Sequence, residues 1–376
     1  MTEDVRVADG GRVLLPTVGV EEEFLLVDRR CGVPRGAAPL VLKLAREVLG
    51  DRVGVELFTD MVETRTRPVA DLDSLGCELA ELRAALAAAA AEVDCLVLPS
   101  GTAPVPVPGG PELTEEERYQ RIATALGPLV TAAGGAGVCG CHIHLGVADR
   151  DLAVRLGARL RPWLPTVQAM AANSPFHLGR DTGYASWRSM RWGQLPGVAP
   201  LPACADAAEY DRLVEQLVQT GVLTDRRMAH WHCRPSEQWP TLEVRVADVC
   251  VEPETVLLLA ALLRALAAVL LAEEARGEPV PQVADVVLRA AHWRAARDGL
   301  TGCGVDLVEG RLRPAGELVE RLLARTAPAL AATGELARVR ELWARLRATG
   351  GGAARQRAAF ARHGELMDVV GELALR

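Results

Sequence analysis

The chain has 376 residues, 49% of them hydrophobic and 24% charged, which marks a globular protein with a sizeable core in one large domain or two smaller ones. Its net charge of −7 argues against nucleic acid as a partner. Lys43 is the single lysine, so no G-x-x-x-x-G-K-[ST] loop exists and a kinase-type strand lysine has only one candidate; any nucleotide phosphate must be met by arginine and metal.

Gly19–Asp28 (GVEEEFLLVD) reads as the first strand, with Glu21 and Glu23 on one face. A turn region from Cys31 to Pro39 leads into a short helix ending at Leu49. Glu56–Thr66 (ELFTDMVETRT) reads as a second strand, and Asp71–Ser74 offer caps for a helix reaching about Val93. Cys95–Leu98 is a short strand, followed by a proline-rich loop from Pro99 to Pro111. Thr114 and Glu117 form a capping box for a helix through Leu126. Val138–Val147 (VCGCHIHLGV) is a strand, and Asp151–Ala172 a helix divided by Pro162 and Pro165. Asn173–Pro200 is a long loop rich in Gly, Arg and aromatics, of a length that is usually functional. Asp206 caps another helix that ends at Gly221. Thr241–Val249 (TLEVRVADV) is a strand, Pro253 opens a leucine-rich helix, and from Pro281 the pattern is helical to the end, broken at Gly350–Gly352.

Nine cysteines scattered over the chain do not suggest a disulfide framework. The leading MTEDVRVADGG lacks an apolar signal core. The apolar run Leu257–Leu271 is interrupted by Arg264 and is shorter than the roughly 20 residues of a membrane span. A cytoplasmic chain with no membrane partner is expected.

The polar positions on the strands carry the chemistry. Alternation places Glu21 with Glu23, Glu63 with Arg65, His142 with His144, and Glu243 with Arg245 and Ala247, each set on one side of a half-apolar strand. Two carboxylates about 7 Å apart on one face repel unless a cation sits over them, and hard divalent metals take carboxylate oxygen. Each pair also has a bland reading: a solvated edge for Glu21/Glu23, a strand ion pair for Glu243/Arg245, a hydrogen-bonded structural role for His144. A zinc cluster from Cys139, Cys141, His142 and His144 is disfavoured, because alternation sends sulfurs and imidazoles to opposite faces. In the long loop, Arg180, Asp181, Arg188 and Arg191 form either a solvated salt-bridge cluster or, with Tyr184, Trp187 and Trp192 between them, a binding surface. Taken together, the pairs predict a sheet whose concave face is a polar site, backed by helices.

GVEEEFLLVD, CGCHIHLGV, Asn173–Ser189 (NSPFHLGRDTGYASWRS), Arg234–Cys250 (RPSEQWPTLEVRVADVC) and the terminal RQRAAFARHGELMDVV occur in order along nearly the whole chain. They resemble the type-2 glutamate–cysteine ligase family, and within it the carboxylate–amine ligase (YbdK-like) branch. The resemblance implies an α+β fold similar to the glutamine synthetase catalytic domain: a curved, mainly antiparallel sheet forming a funnel-shaped active site, with helices packed outside. It implies one catalytic domain over residues 1–376, with residues 1–14 as a flexible lead.

The same resemblance implies an ATP-dependent ligase that forms a carbon–nitrogen bond through an acyl phosphate, with L-glutamate and L-cysteine as default substrates and Mg2+ or Mn2+ as cofactor. Glu21, Glu23, Glu63, His142 and Glu243 are the implied metal shell. Arg245 would sit on the transferring phosphoryl group with His144 beside the nucleotide, and Arg188 would bind a substrate carboxylate. Tyr184, Arg234 and Asp60 complete the implied substrate contacts. Small molecules are the implied partners, and the family suggests a homodimer. The sequence departs from the family pattern at His177-Leu178, at His232 and at Thr64–Arg67, which points to an altered substrate pocket. Besides the glutamate–cysteine reading, the same chemistry on another amino acid and amine in a specialised pathway stays open, as does a nucleotide-binding regulator without catalysis.

Overall fold

The computed structural model describes residues 15–131 and 137–375; the implied lead at residues 1–14 lies outside them. Eleven strands are found among these residues: β1 (Val18–Asp28), β2 (Val53–Val55), β3 (Met61–Arg65), β4 (Cys95–Leu98), β5 (Gly140–Gly146), β6 (Phe176–His177), β7 (Arg180–Asp181), β8 (Cys233–Pro235), β9 (Thr241–Asp248), β10 (Cys303–Asp306) and β11 (Arg311–Pro314). Seven of them make one sheet, six in the order β2-β3-β1-β5-β9-β8 and the seventh, β4, beside β1, and every pairing in it is antiparallel. β4 pairs with β1 at residues 25–28 and β5 with β1 at residues 18–22, so the two share the edge opposite β3.

Fourteen α-helices accompany the strands among the described residues. The first eight are α1 (Ala38–Leu49), α2 (Leu72–Ala91), α3 (Glu117–Leu126), α4 (Pro128–Thr131), α5 (Arg150–Leu160), α6 (Leu164–Ala171), α7 (Trp187–Trp192) and α8 (Ala207–Gln219). The last six are α9 (Pro253–Ala275), α10 (Asp285–Asp298), α11 (Ala315–Ala332), α12 (Leu336–Thr349), α13 (Gly351–His363) and α14 (Leu366–Leu373).

One sheet face is apolar and carries the helices. Val20, Ile143, Leu145, Leu242 and Val244 point into a cluster with α5, α6 and α9, while Phe24, Leu26, Val62 and Val97 join a second cluster with α1 and part of α2. α9 is buried along nearly its whole length, which explains why it is apolar all round: it is a core helix. Its one cation, Arg264, is satisfied by Pro16 O at 3.0 Å, by Ala70 O and by Glu335 at 3.4 Å. The alternation that puts Glu21 and Glu23 in the site puts Glu22 in the core, where Arg83 from α2 meets it with two hydrogen bonds of 3.0 and 2.6 Å. Arg83 also donates to the carbonyls of Cys250 and Val251.

Asp71 caps α2 through Ser74 N at 2.8 Å and Asp206 caps α8 through Glu209 N at 2.7 Å, as their positions predict. Three expectations need correction. Glu56–Thr66 is not one strand: residues 56–60 turn the chain between β2 and β3, which pair as a hairpin. Thr114 forms no capping box; its hydroxyl donates to Glu56 O at 2.6 Å, and α3 begins after Glu116. The last third is not wholly helical, because β10 and β11 form a hairpin between α10 and α11.

Candidate active site

Cross-strand neighbours in an antiparallel sheet point to the same face with Cβ atoms about 4.5–5.5 Å apart, so the register assembles the site in rows. His144 on β5 lies opposite Glu243 on β9, which lies opposite Arg234 on β8. Glu21 on β1 lies between Arg65 on β3 and His142 on β5. Glu23 lies opposite Glu63, and its carboxylate accepts a 2.6 Å hydrogen bond from Gly140 N at the start of β5. The four pairs read from the sequence thus face one lumen. Cys139 and Cys141 go to the apolar clusters, away from the imidazoles, and no zinc tetrahedron forms from that motif.

The rows create two triads that share one imidazole. Glu21, His142 and Glu243 bring ligand atoms within 4.8 Å of one another, and so do Glu23, Glu63 and His142. His142 is 2% exposed, and its ring nitrogens stand 3.6 Å from Glu21, 3.7 Å from Glu23 and 3.8 Å from Glu243, near enough to interact but beyond hydrogen-bond length. Burial and the neighbouring Arg245 guanidinium hold its pKa down, so the ring is neutral with a lone pair to offer. A buried imidazole standing between carboxylates beyond hydrogen-bond length fits a divalent cation, and carboxylate oxygen with one imidazole suits Mg2+ or Mn2+.

The carboxylates are held at different proton affinities. Burial and the charge of Glu21 push Glu63 up to about 8, and the Arg65 bond at 2.6 Å offsets this only in part. Glu21 goes the other way: burial would raise it, but the close His142 and His144 rings hold it far below the ordinary range. Burial likewise opposes the ionisation of Glu243, and Arg234 at 3.0 Å together with Arg245 overcomes it. His144 is raised; burial works against that, but Glu21 at 3.4 Å and the charge of Glu243 prevail.

These groups line a cavity of about 350 Å³, within the range of small-molecule sites. Its lining includes the guanidinium groups of Arg65, Arg118, Arg188, Arg227, Arg234 and Arg245 and the apolar side chains of Leu57, Phe58, Met61 and Ile122. Arg188 is 2% exposed, with Nε and Nη1 lacking partners among the described residues, and stacks over Trp192 with 4.9 Å from Cζ to the ring centre. Arg245 is bonded to Glu243 and keeps its Nε unpartnered. Unpartnered buried guanidinium groups on a cavity wall are anion receptors in waiting. Gly140 makes room for one of them, since a Cβ there would stand 2.3 Å from Arg188 Nη2.

Glu21, Glu23, Glu63, His142, His144, Arg188, Arg234, Glu243 and Arg245 therefore converge. Tyr184 does not: its ring packs on Trp187 at 5.3 Å and under Arg297 at 5.7 Å, outside the cavity lining. Asp60 is buried behind the wall, raised to about 6 by burial, with Oδ1 unpartnered among the described residues. Glu56 was missed by sequence reasoning. It lines the cavity and is raised well above its usual value by burial and by Glu23 and Glu63, but only the turn at residues 56–60 aims it there. His177, Leu178 and His232 lie off the cavity lining, so of the departures from the family pattern only Arg65 reaches it.

Residues 17–372 match the family model described as glutamate-cysteine ligase family 2. A Salinispora arenicola protein provisionally named glutamate–cysteine ligase 2 is 43% identical over 349 residues, covering 93% of this chain and 91% of its own length. A Mycobacterium sp. (strain KMS) protein with the provisional name glutamate–cysteine ligase 2-2 is 42% identical over 360 residues, covering 96% and 98%. A glutamate–cysteine ligase of Francisella tularensis, solved in complex with AMP, superposes with a TM-score of 0.69 at 12% identity, covering 96% of this chain and 88% of that one. At that identity the likeness shows the fold.

Proposed function

The chain belongs to glutamate–cysteine ligase family 2, and from that membership we propose that its cavity joins an amino-acid carboxylate to an amine in a reaction driven by ATP, with L-glutamate and L-cysteine as the default pair. The observation that carries this reading is that two carboxylate–imidazole triads and the guanidinium groups of Arg188 and Arg245, which keep nitrogens without partners among the described residues, line one cavity. A pure nucleotide binder needs no such density of opposed charge, whereas phosphoryl transfer between two anions does.

Glu21, His142 and Glu243 would hold one divalent ion, and Glu23, Glu63 and His142 a second or shared one. When bound, such ions supply charge neutralisation on the phosphate oxygens. Arg188 binds and orients the substrate carboxylate, and Arg245 faces the charge that moves during transfer. In the first step a carboxylate oxygen bonds to the terminal phosphorus of ATP and ADP leaves. In the second the amine nitrogen bonds to the acyl carbon, inorganic phosphate leaves and the nitrogen loses a proton. No enzyme nucleophile is used. On this reading the substrates are small molecules and the enzyme works in the cytoplasm.

The test is release of ADP and phosphate with ATP and Mg2+ or Mn2+, first with glutamate alone, then with cysteine and a panel of amines, with products weighed by mass spectrometry. Turnover that requires glutamate and one amine and yields the matching amide supports the reading. Measurable ATP binding with no release for any carboxylate refutes it and leaves the regulator. A Glu23→Gln variant that keeps full turnover would refute the assigned metal shell.

A further inference from the structure

The loop between Asn173 and Ser189 carries Arg188 and is gripped from two sides. On the sheet side, Asp248 Oδ2 accepts from Asn173 N at 2.9 Å and from Ser174 Oγ at 2.7 Å, and Oδ1 accepts from Ser186 Oγ at 2.8 Å. Ser174 Oγ in turn accepts from Arg188 N at 3.0 Å. On the outer side stands α13, none of whose residues lines the cavity. Gln356, fully buried, donates from Nε2 to Asn173 O at 2.9 Å and Asn173 Oδ1 at 2.8 Å. Arg357 forms a two-point ion pair with Asp181, both bonds 2.8 Å, and reaches Tyr184 O at 2.9 Å.

We infer that α13 is a remote clamp for Arg188: Gln356 fixes the start of the loop and Arg357 its middle, so that Arg188 enters the cavity pre-aimed at the substrate carboxylate. The basic helix near the C-terminus thereby acts as a positioning element for binding. The physical need is specific. The Arg188 guanidinium is held by one 3.4 Å contact to Arg245 O and by stacking on Trp192, while Nε and Nη1 have no partner among the described residues. Its aim therefore depends on where its backbone is fixed. A buried charge left free to swing costs binding energy each time it is re-aimed. The inference rests on the reading of Arg188 as the carboxylate receptor.

Two variants and two readouts test it. Arg357→Gln removes a partly exposed side chain without opening a core cavity, and Gln356→Ala removes the inner grip. Hydrogen exchange of residues 173–189 is expected to quicken about tenfold in either variant, because local opening is opposed by fewer bonds. The KM for the carboxylate substrate is expected to rise on the order of tenfold, with the KM for ATP and the thermal midpoint of Arg357→Gln unchanged. Exchanging the charges, Asp181→Arg with Arg357→Asp, is expected to bring the carboxylate KM back toward wild type. Unchanged exchange in both variants overturns the clamp whatever the activity. Faster exchange with an unchanged carboxylate KM, or with both KM values rising and kcat falling together, overturns the positioning role and leaves simple packing. If the wild-type protein turns over no carboxylate, the ligase reading fails on its own, and exchange still decides the clamp.

Discussion

Glu63→Gln should stabilise the metal-free protein while disabling the site. Glu63 is largely shielded from water, with 13% of its side chain exposed, opposite Glu23 and near Glu21, and desolvation followed by the charge of Glu21 raises its pKa from 4.5 to about 8. An acid whose folded pKa is raised holds its proton longer in the folded state than in the unfolded chain. The unfolded chain binds fewer protons between pH 4.5 and about 8, so stability falls with rising pH across that window and is level above it. At about 1.4 kcal/mol per unit, the shift sets a ceiling of roughly 5 kcal/mol, which the three neighbouring carboxylates share. His144, raised above its usual value by Glu21 and Glu243 against burial, adds to the same fall at the upper end of the window. The assay is urea unfolding in EDTA from pH 4.5 to 8 for wild type and Glu63→Gln, repeated with Mg2+ or Mn2+. Wild type should lose stability along the series, the variant should lose less, and saturating metal should restore wild type by about 2.7 kcal/mol at a hundred times Kd while doing little for the variant. Wild-type stability that is flat or rising in EDTA, or a variant no more stable than wild type at pH 8, would refute the argument.

Arg83→Met leaves Glu22 as an uncompensated charge in the core and should cost about 3–5 kcal/mol in the same urea experiment. Gly140→Ala drives a methyl into Arg188 and should raise the carboxylate KM on the order of a hundredfold in steady-state kinetics, with the KM for ATP little changed. Arg245→Lys keeps a charge but loses the fork, and should lower kcat about a hundredfold or more while calorimetry finds ATP binding nearly intact. Asp71→Ala removes the α2 cap and should cost about 1 kcal/mol of stability with no effect on turnover.

The shared faces were legible because a strand has a period of two residues, so Glu21 with Glu23 and His142 with His144 could be assigned to one side from spacing alone, whereas their reading as metal ligands came from the family resemblance. The helix caps at Asp71 and Asp206 were legible for the same reason: their signals are local. Glu56 was not, because its aim depends on a turn between two short strands whose residues carry no distinctive turn signature. The β10–β11 hairpin hid between two long helices, where four-residue strands give too little alternation to register. Tyr184 sat in a run of arginines and aromatics that suggested a binding surface, yet its ring packs on the neighbouring Trp187 and under the sequence-distant Arg297, outside the cavity lining.

The least legible feature is also the one that links the site to its support. Simple alternation along β9 places Ala247 beside Glu243 and Arg245, and Asp248 on the core face. The register of β5 against β9 instead shifts between Cys141 and Ile143: Ile143 lies opposite Val244 while Cys141 lies opposite Ala247. One extra residue on β9 therefore reverses the alternation, sending Ala247 to the apolar side with Cys141 and turning Asp248 to the side of Gly140. Without that bulge, Asp248 would be an unpaired carboxylate in the hydrophobic core, and Ser174 and Ser186 would lose their common acceptor. With it, the strand that supplies Glu243 and Arg245 also anchors the loop that supplies Arg188, so the two arginines are referenced to one backbone. Bulges are common beside active sites because they re-aim side chains in this way, and here the extra residue connects the strand of Glu243 and Arg245 to the loop of Arg188.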